Sequence, residues 1–156
     1  MRISAKADYA VRAAAELAAS PPGRLVKGEE LARAQSIPLE FLENILREMR
    51  VAGIVVAQRG VDGGYGLARP AAEITLAEVV DSVEGPLSGV QRTPLEDLDY
   101  PGAAARLVDV WIAMRESMHA VLESVSLAEL AAGDLPQSVL EIVADPGADA
   151  GAGLPT

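Results

Sequence analysis

Arg59-Gly-Val-Asp-Gly-Gly-Tyr65 places three glycines between two short runs of residues that favour β-strands. The first run is Ile54 to Ala57, and the second is Tyr65 to Ala68. This pattern predicts a β-hairpin, and glycine lets the tip of a hairpin approach another backbone closely. A phosphate-binding nucleotide loop is a weaker alternative, because the Gly-Lys-Ser/Thr ending is missing and no helix follows directly. An ordinary hairpin with an incidental arginine is the other alternative.

Three helices are predicted before this hairpin. Ser4 to Ala19 repeats apolar residues at helical spacing behind a capping serine, and Gly28 to Ala34 forms a shorter helix. The third helix opens with Pro38 in its first turn and stops near Gly53. Its apolar stripe consists of Leu42, Ile45, Leu46 and Met49. Three helices and a hairpin form a winged helix-turn-helix, in which the third helix fits the major groove of DNA and the hairpin reaches the backbone or minor groove.

The polar face of the third helix supplies candidate contacts with DNA. Asn44 can pair with adenine or a phosphate, and Arg47 and Arg50 can pair with phosphates or guanine. Phe41 lies between the two faces and can touch a thymine methyl group. Acidic residues on the same helix offset the arginines, so an ordinary amphipathic helix with a solvated face is the alternative.

Charge is divided unevenly along the chain. Residues 1–70 carry ten Lys or Arg and eight acids, a net of +2, whereas residues 71–156 carry three Arg and fifteen acids, a net of −12. Because DNA is a polyanion, only the first part is suited to contact it. An acidic half that only keeps the protein soluble would explain the same asymmetry.

The second part of the chain predicts further helices. Residues 74–83 predict a helix, in which Thr75 and Glu78 have the spacing of a capping box, and residues 85–102 lack periodicity and predict a loop. The longest helical pattern covers residues 103–125. Its apolar residues recur at heptad-like spacing: Leu107, Val110, Trp111, Met114, Met118, Val121, Leu122 and Val125. A turn capped by Ser126, a short helix at 137–144 and a tail expected to be disordered complete the chain.

Composition excludes several classes of function. The chain has no cysteine and one histidine, so disulfides, thiolate nucleophiles and a clustered metal site are not expected, and neither is an enzyme. The apolar residues are mainly Ala, Leu and Val, and only 3% of the residues are aromatic, a composition that favours helices. No apolar run is long enough to span a membrane, and the polar start does not resemble a secretory signal, so we expect a cytoplasmic protein without membrane contact.

Five segments carry a family resemblance: residues 1–11, 37–46, 53–55, 59–67 and 74–80. Through them, about residues 1–132 resemble the Rrf2 family of bacterial transcription regulators. The resemblance implies a mainly α fold with a small β-hairpin wing, and a homodimer whose long helices pack together through the eight apolar residues of the heptad-like pattern. It also implies an inverted-repeat operator in double-stranded DNA, usually bound by a repressor.

The resemblance carries DNA-binding roles to particular positions. Lys6 and Arg47 correspond to phosphate contacts, residues 38–44 to the reader of the major groove, and Arg59 with its glycines to the wing in the minor groove. The candidate DNA-binding residues are Lys6, Pro38, Leu39, Glu40, Phe41, Asn44, Arg47, Arg50, Arg59, Gly60, Gly63 and Gly64. Pro38 and Glu40 stand where many members have small hydroxyl residues, so we expect a different operator from the best-known family sequence.

The resulting organisation has five parts. They are a DNA-binding domain at 1–84, a loop at 85–102, a dimerisation helix with its following turn at 103–132, a short helix at 133–145 and a disordered tail at 146–156.

The chain departs from the family in its sensor region. Cluster-sensing members carry three cysteines in the segment matching Gly85 to Gly102, and this chain has none. Asp8 matches a cluster ligand of some members, but it cannot hold iron alone, so no cofactor is expected. We expect instead a small-molecule effector in a pocket lined by Arg12, Arg92, Tyr100 and Trp111. A winged-helix module that binds protein and has lost DNA binding is the alternative function, since the second half is acidic.

Overall fold

The computed structural model describes residues 3–85 and 94–145. The elements in chain order are α1 (Ala5–Ala19), α2 (Gly28–Gln35), α3 (Leu39–Val51), β1 (Val55–Gln58), β2 (Gly64–Leu67), α4 (Leu76–Glu84), α5 (Leu107–Glu123), α6 (Leu127–Ala132) and α7 (Gln137–Ala144). Short 3-10 turns lie at Ala71–Glu73, Leu95–Asp97 and Gly102–Ala104. The prediction of a mainly helical fold with one hairpin is confirmed.

The core forms around α1, which begins where the Ser4 hydroxyl accepts a hydrogen bond from the Ala7 N–H at 3.0 Å. The buried side of α1 is rich in alanine, which lets α2, α3, α4 and α6 approach it closely. Larger apolar side chains of those helices fill the space around it: Leu31, Leu42, Ile45, Leu46, Met49, Val79 and Leu127. The alanine-rich composition therefore produces a closely packed helical core.

A sharp turn joins α2 to α3. Ser36 takes left-handed backbone angles, with a φ of 53°, and the Ile37 N–H donates to the carbonyl of Ala32 at 2.9 Å. The buried Ile37 side chain attaches this turn to the core. Pro38 caps α3 instead of lying in its first turn, because the helix begins one residue later than predicted, at Leu39.

The hairpin is antiparallel. Its register pairs Val55 with Leu67, Val56 with Gly66, Ala57 with Tyr65 and Gln58 with Gly64. Both strands lie one residue from their predicted bounds. Ile54 is excluded from β1 because its N–H closes α3 by donating to the Met49 carbonyl at 2.9 Å, which turns its buried side chain into the core.

A third backbone segment supports the base of the hairpin. Val26 donates its N–H to the Tyr65 carbonyl at 2.9 Å and accepts from the Tyr65 N–H at 2.8 Å. The short extended piece expected at residues 25–26 therefore joins the sheet at one position. An isolated two-stranded hairpin is marginally stable in water, so this bridge attaches the hairpin to the helical body.

Two capping boxes lie side by side at the starts of two helices. Thr75 and Glu78 cap the start of α4, and Ser126 and Glu129 cap the start of α6. The backbones beside these caps exchange two hydrogen bonds of 2.9 Å. This contact returns the chain after α5 to the winged domain, which explains why Val125 is buried at 4% exposure.

The predicted loop and long helix differ in detail from the structure. A 3-10 turn at Gly102–Ala104 precedes α5, which begins at Leu107 instead of Ala103 because the backbone of Arg106, with a ψ of 1°, leaves the helical range between this turn and α5. Another 3-10 turn in the predicted loop buries Leu95. Arg92 and the tail predicted at 146–156 lie outside the described residues. Within the described part of the chain, no helix has both the length and the apolar content to cross a bilayer.

Candidate nucleic-acid interface

The helix α3 is fixed in rotation by its buried stripe. Leu42, Ile45, Leu46 and Met49 are each exposed by 1% or less. Leu39 packs against the same core, so it is a support and not a free surface group. The remaining predicted positions face solvent together with Glu43: Pro38, Glu40, Phe41, Asn44, Arg47 and Arg50. The structure therefore brings most of the predicted reading residues onto one open surface, which we call the α3 face.

The α3 face is a connected polar surface with one aromatic side chain. The Arg47 guanidinium donates to the Asn44 side-chain oxygen, and the Asn44 amide donates to the Glu40 carbonyl at 3.4 Å. These contacts join residues one helical turn apart. Phe41 is 61% exposed, so a large apolar ring lies in water beside them. A surface of this kind offers hydrogen-bond donors and acceptors together with an apolar group, as base edges in the major groove require.

Lys6 lies beside the α3 face but is held by an acid. Its ammonium nitrogen is 2.7 Å from a carboxylate oxygen of Glu48, and both side chains are more than one-third exposed. Exposed pairs of this kind contribute only about 0–1 kcal/mol. A DNA phosphate can therefore compete with Glu48 for Lys6 at little cost.

The described basic residues divide into those that have a carboxylate within 4 Å and those that do not. Lys6, Arg12, Arg24, Arg69, Arg106 and Arg115 each have a carboxylate within 4 Å. The described basic residues without such a described partner are Lys27, Arg33, Arg47, Arg50 and Arg59. Lys27 caps α2, Arg33 lies in α2, Arg47 and Arg50 lie in α3, and Arg59 lies in the hairpin. Positive charge available to a phosphate is thus concentrated on the helix-turn-helix and the hairpin.

The glycines at the hairpin are required by close backbone contacts. A Cβ added at Gly63 would lie 2.1 Å from the Gln58 carbonyl oxygen. At Gly64 it would lie 2.7 Å from the Val26 carbonyl oxygen, and Gly64 has a φ of 150°. Real Cβ atoms essentially never approach this closely. The Gly63–Gly64 pair therefore lets the hairpin fold back on itself and on the body.

The hairpin tip projects into solvent. Arg59, Gly60 and Val61 are all exposed, with Val61 at 93%. The Lys27 ammonium group donates to the Gly60 carbonyl at 2.8 Å, a contact between residues 33 positions apart. Sequence reasoning missed both Val61 and Lys27, because a lone valine in a turn and a lysine before a helix carry no distinctive pattern.

The helix α5 carries an open apolar stripe. Val110, Met114 and Val121 are exposed by 51%, 43% and 39%. The other predicted interface residues are half-buried: Leu107, Trp111, Met118 and Leu122. Val125 departs from the prediction, because other parts of the same chain cover it and it belongs to the core.

The residues predicted to line an effector pocket do not share one described cavity. The Arg12 guanidinium donates to Asp8 at 2.9 Å and to the Gln35 side chain at 3.1 Å, and lies over the Tyr9 ring. It thereby ties α1 to the end of α2. Tyr100 and Trp111 are half-buried, and the Trp111 indole N–H has no partner among the described residues. A concavity of about 210 Å³ lies elsewhere, between the ends of α1 and α2.

A family model described as an iron-dependent transcriptional regulator, Rrf2, matches residues 3–133. The chain belongs to the Rrf2 family. It is 48% identical over 145 residues to Rv1287 of Mycobacterium tuberculosis, which is named as an HTH-type transcriptional regulator, and the match covers 93% of this chain and 90% of that protein. It is 31% identical over 131 residues to the HTH-type transcriptional regulator CymR of Bacillus subtilis, covering 84% and 90% of the two chains.

Solved structures of related regulators have the same fold. The structure of CymR, the global cysteine regulator of B. subtilis, matches with a TM-score of 0.71 and 30% identity, over 85% of this chain and 97% of that one. The structure of T. potens IscR matches with a TM-score of 0.67 and 26% identity, over 90% and 96% of the two chains. The family prediction from the motifs is therefore confirmed.

The donor groups of this Rrf2 chain do not fit the iron of the family description. There is no cysteine in the sequence. The Asp8 carboxylate is paired with Arg12, and both ring nitrogens of His119 face carboxylates, with Asp81 at 3.5 Å and Glu123 at 3.3 Å. Across residues 3–85 and 94–145, no three His, Asp or Glu side chains are grouped so that they could hold a metal ion.

Proposed function

We propose that this protein is a sequence-specific DNA-binding regulator that acts as a homodimer on an inverted-repeat operator. The observation that carries the proposal is the distribution of basic residues without a described acidic partner, all of which lie on the helix-turn-helix or the hairpin. Phosphate contacts by such residues supply most of the non-specific affinity for DNA. The family membership supports the same function.

The α3 face has the chemistry to read base pairs. Arg47 and Arg50 can donate to guanine, and Asn44 can pair with adenine. Glu40 and Glu43 can accept from the amino group of cytosine, and they repel phosphates elsewhere. Carboxylates on the α3 face therefore lower the general affinity for DNA and raise the preference for particular base pairs. This accounts for acidic residues on a surface that contacts a polyanion.

The hairpin would add a contact in the minor groove. Arg59 lies at an exposed tip without a described acidic partner, and arginine enters narrow minor grooves favourably. The half-site would then be contacted by α3 in one groove and by Arg59 in the next.

The open stripe on α5 supports a homodimer. Exposed residues such as Val110 and Met114 would be covered by the same stripe of a second copy, which gives a two-fold axis and an inverted-repeat operator. Repression is the simplest consequence, because a dimer bound over a promoter excludes polymerase.

A small-molecule effector that binds near Tyr100 and Trp111 is part of the proposal. A metabolite panel that leaves both thermal stability and operator affinity unchanged would contradict that part.

The test begins with duplexes selected from a random pool by the wild-type protein. We expect a palindromic consensus and a log–log salt slope of several units, measured by fluorescence anisotropy. Arg59→Ala should lower affinity by about 5- to 150-fold, the value of one good arginine contact with a base. Arg106→Ala is the matched control, since Arg106 is 91% exposed and paired with Asp109 on α5.

A failure of the wild-type protein to bind any duplex at low salt would overturn the proposal. It would favour the alternative of a protein-binding module, for which the exposed Phe41 and the acids of the α3 face are the supporting features. Equal losses for Arg59→Ala and Arg106→Ala would also contradict it, because they would show that only net charge matters.

A further inference from the structure

Lys27 lies where three parts of the winged domain meet. It directly follows Val26, which pairs with Tyr65 at the base of the hairpin, and it caps the start of α2 without a side-chain capping bond. Its side chain extends instead to the hairpin tip, where the ammonium group donates to the Gly60 carbonyl at 2.8 Å. No described carboxylate lies within 4 Å of it.

The tip beyond the strands has few other restraints. The ladder ends at the pair Gln58 and Gly64. Within the tip, the Gly63 N–H donates to the Gly60 carbonyl at 3.1 Å. The Gly60 carbonyl therefore accepts both the turn's own hydrogen bond and the bond from Lys27. Gly60 itself has a φ of 104°, and a Cβ added there would meet no atom within 4 Å, so no side chain packs over this side of the turn.

We propose that Lys27 is a positioning residue that sets the reach of the wing by holding the Gly60 carbonyl. This inference rests on the proposed binding of DNA. Arg59 is bonded directly to Gly60, so a fixed Gly60 carbonyl limits the directions in which the Arg59 side chain can leave the hairpin. Ordering a loop on binding lowers affinity, and a wing that is already ordered avoids that loss.

Positioning of the wing and a direct phosphate contact by Lys27 predict different effects on DNA binding. A lysine that only contacts phosphate acts independently of Arg59, and its removal lowers the salt slope by about one unit. A lysine that acts through the wing matters only while Arg59 is present. The two roles therefore differ in whether the effects of the two substitutions add.

The experiment is a double-mutant cycle on a duplex selected by the wild-type protein. Lys27→Met should weaken binding about 3- to 10-fold, as expected for the loss of one hydrogen bond that orders a loop. In the Arg59→Ala background, the same substitution should have almost no further effect. Arg33→Met is the matched control: it removes a charge from α2, the helix that Lys27 caps, and its effect should add to that of Arg59→Ala.

Two further readouts separate positioning from general destabilisation. Lys27→Met should reduce discrimination between A·T and G·C pairs at the wing position and leave discrimination under α3 unchanged. In the free protein, hydrogen exchange of residues 59–63 should rise in Lys27→Met and not in Arg33→Met, while the melting temperature stays within a few degrees. Because Lys27 is on the surface of the fold, we expect both variants to fold.

The outcomes are distinct. A wild-type protein that binds no duplex overturns both the proposed function and this inference. Binding that is weakened by Arg59→Ala, together with an additive effect of Lys27→Met or unchanged exchange at 59–63, overturns the role of Lys27 alone. A non-additive cycle with faster exchange supports it.

Discussion

Substitution of Gly63 by alanine gives the sharpest test of how the wing is built. The added methyl group would lie 2.1 Å from the Gln58 carbonyl oxygen, whereas real Cβ atoms essentially never come within 3.0 Å of such an atom. The backbone must therefore move by about 1 Å at a place where two strands are joined, and overpacking of this kind costs about 1–3 kcal/mol. For a chain of this size, that corresponds to a fall in melting temperature of roughly 3–10 °C.

The effect on DNA binding should be larger than the effect on stability. The hairpin can relieve the clash by opening at its tip, which limits the loss of stability but displaces Arg59. We expect the melting temperature to fall by no more than this range and the operator affinity to fall tenfold or more, measured by differential scanning calorimetry and fluorescence anisotropy.

Gly28→Ala is the matched control for this prediction. A Cβ at Gly28 would lie 3.6 Å from Tyr65 and 3.7 Å from Leu39, which is ordinary contact, and the position opens a helix. It should therefore leave stability unchanged or raise it by up to about 1 kcal/mol, and leave binding unchanged. If Gly63→Ala melts and binds like the wild type, or if Gly28→Ala is equally damaging, then close backbone contact at Gly63 does not shape the wing.

Three other perturbations test the fold and the dimer. Thr75→Ala removes the cap of α4 and should lower stability by about 0.5–2 kcal/mol in urea unfolding. The hydrogen bond from the backbone N–H of Thr75 is the main cause that lowers the pKa of Glu78, and Arg69 lowers it further. This carboxylate therefore stabilises the fold above about pH 4.5, and its contribution is lost as the pH falls through its folded pKa. Glu78→Gln should therefore destabilise the protein at pH 7, and its difference from the wild type should shrink in acid; a constant difference would contradict this. Met114→Glu should convert the proposed dimer to a monomer in sedimentation equilibrium, whereas Ala72→Glu, on an exposed turn, should not; a dimer retained in Met114→Glu would exclude the α5 stripe as the interface.

Local patterns predicted much of the fold. The caps at Ser4, Thr75 and Ser126 were visible in the sequence because an N-cap depends on residues within one helical turn. The bounds of α7 also agree with the sequence prediction. The start of α3 differs from the prediction by one residue because Pro38 has a ψ of 126°, which lies outside the helical range.

The candidate site was predicted in part. The buried stripe of α3 determines which residues face outward, so periodicity located Asn44, Arg47 and Arg50 correctly on an exposed face. Periodicity also placed Val125 on the open stripe of α5, although the bridge between the two capping boxes covers it. A repeat of seven cannot show where the chain turns back on its own core.

The sequence by itself determined the helical order, the glycine-tipped hairpin, the family and the absence of thiolates for an iron site. Only the tertiary structure decided which charges are available. Lys6 is paired with Glu48 across 42 positions, and Lys27 reaches Gly60 across 33. Side-chain spacing within an element follows a fixed backbone period, whereas such pairs depend on how separate elements pack. For this reason the wing could be predicted from its glycines, but the lysine that holds it could not.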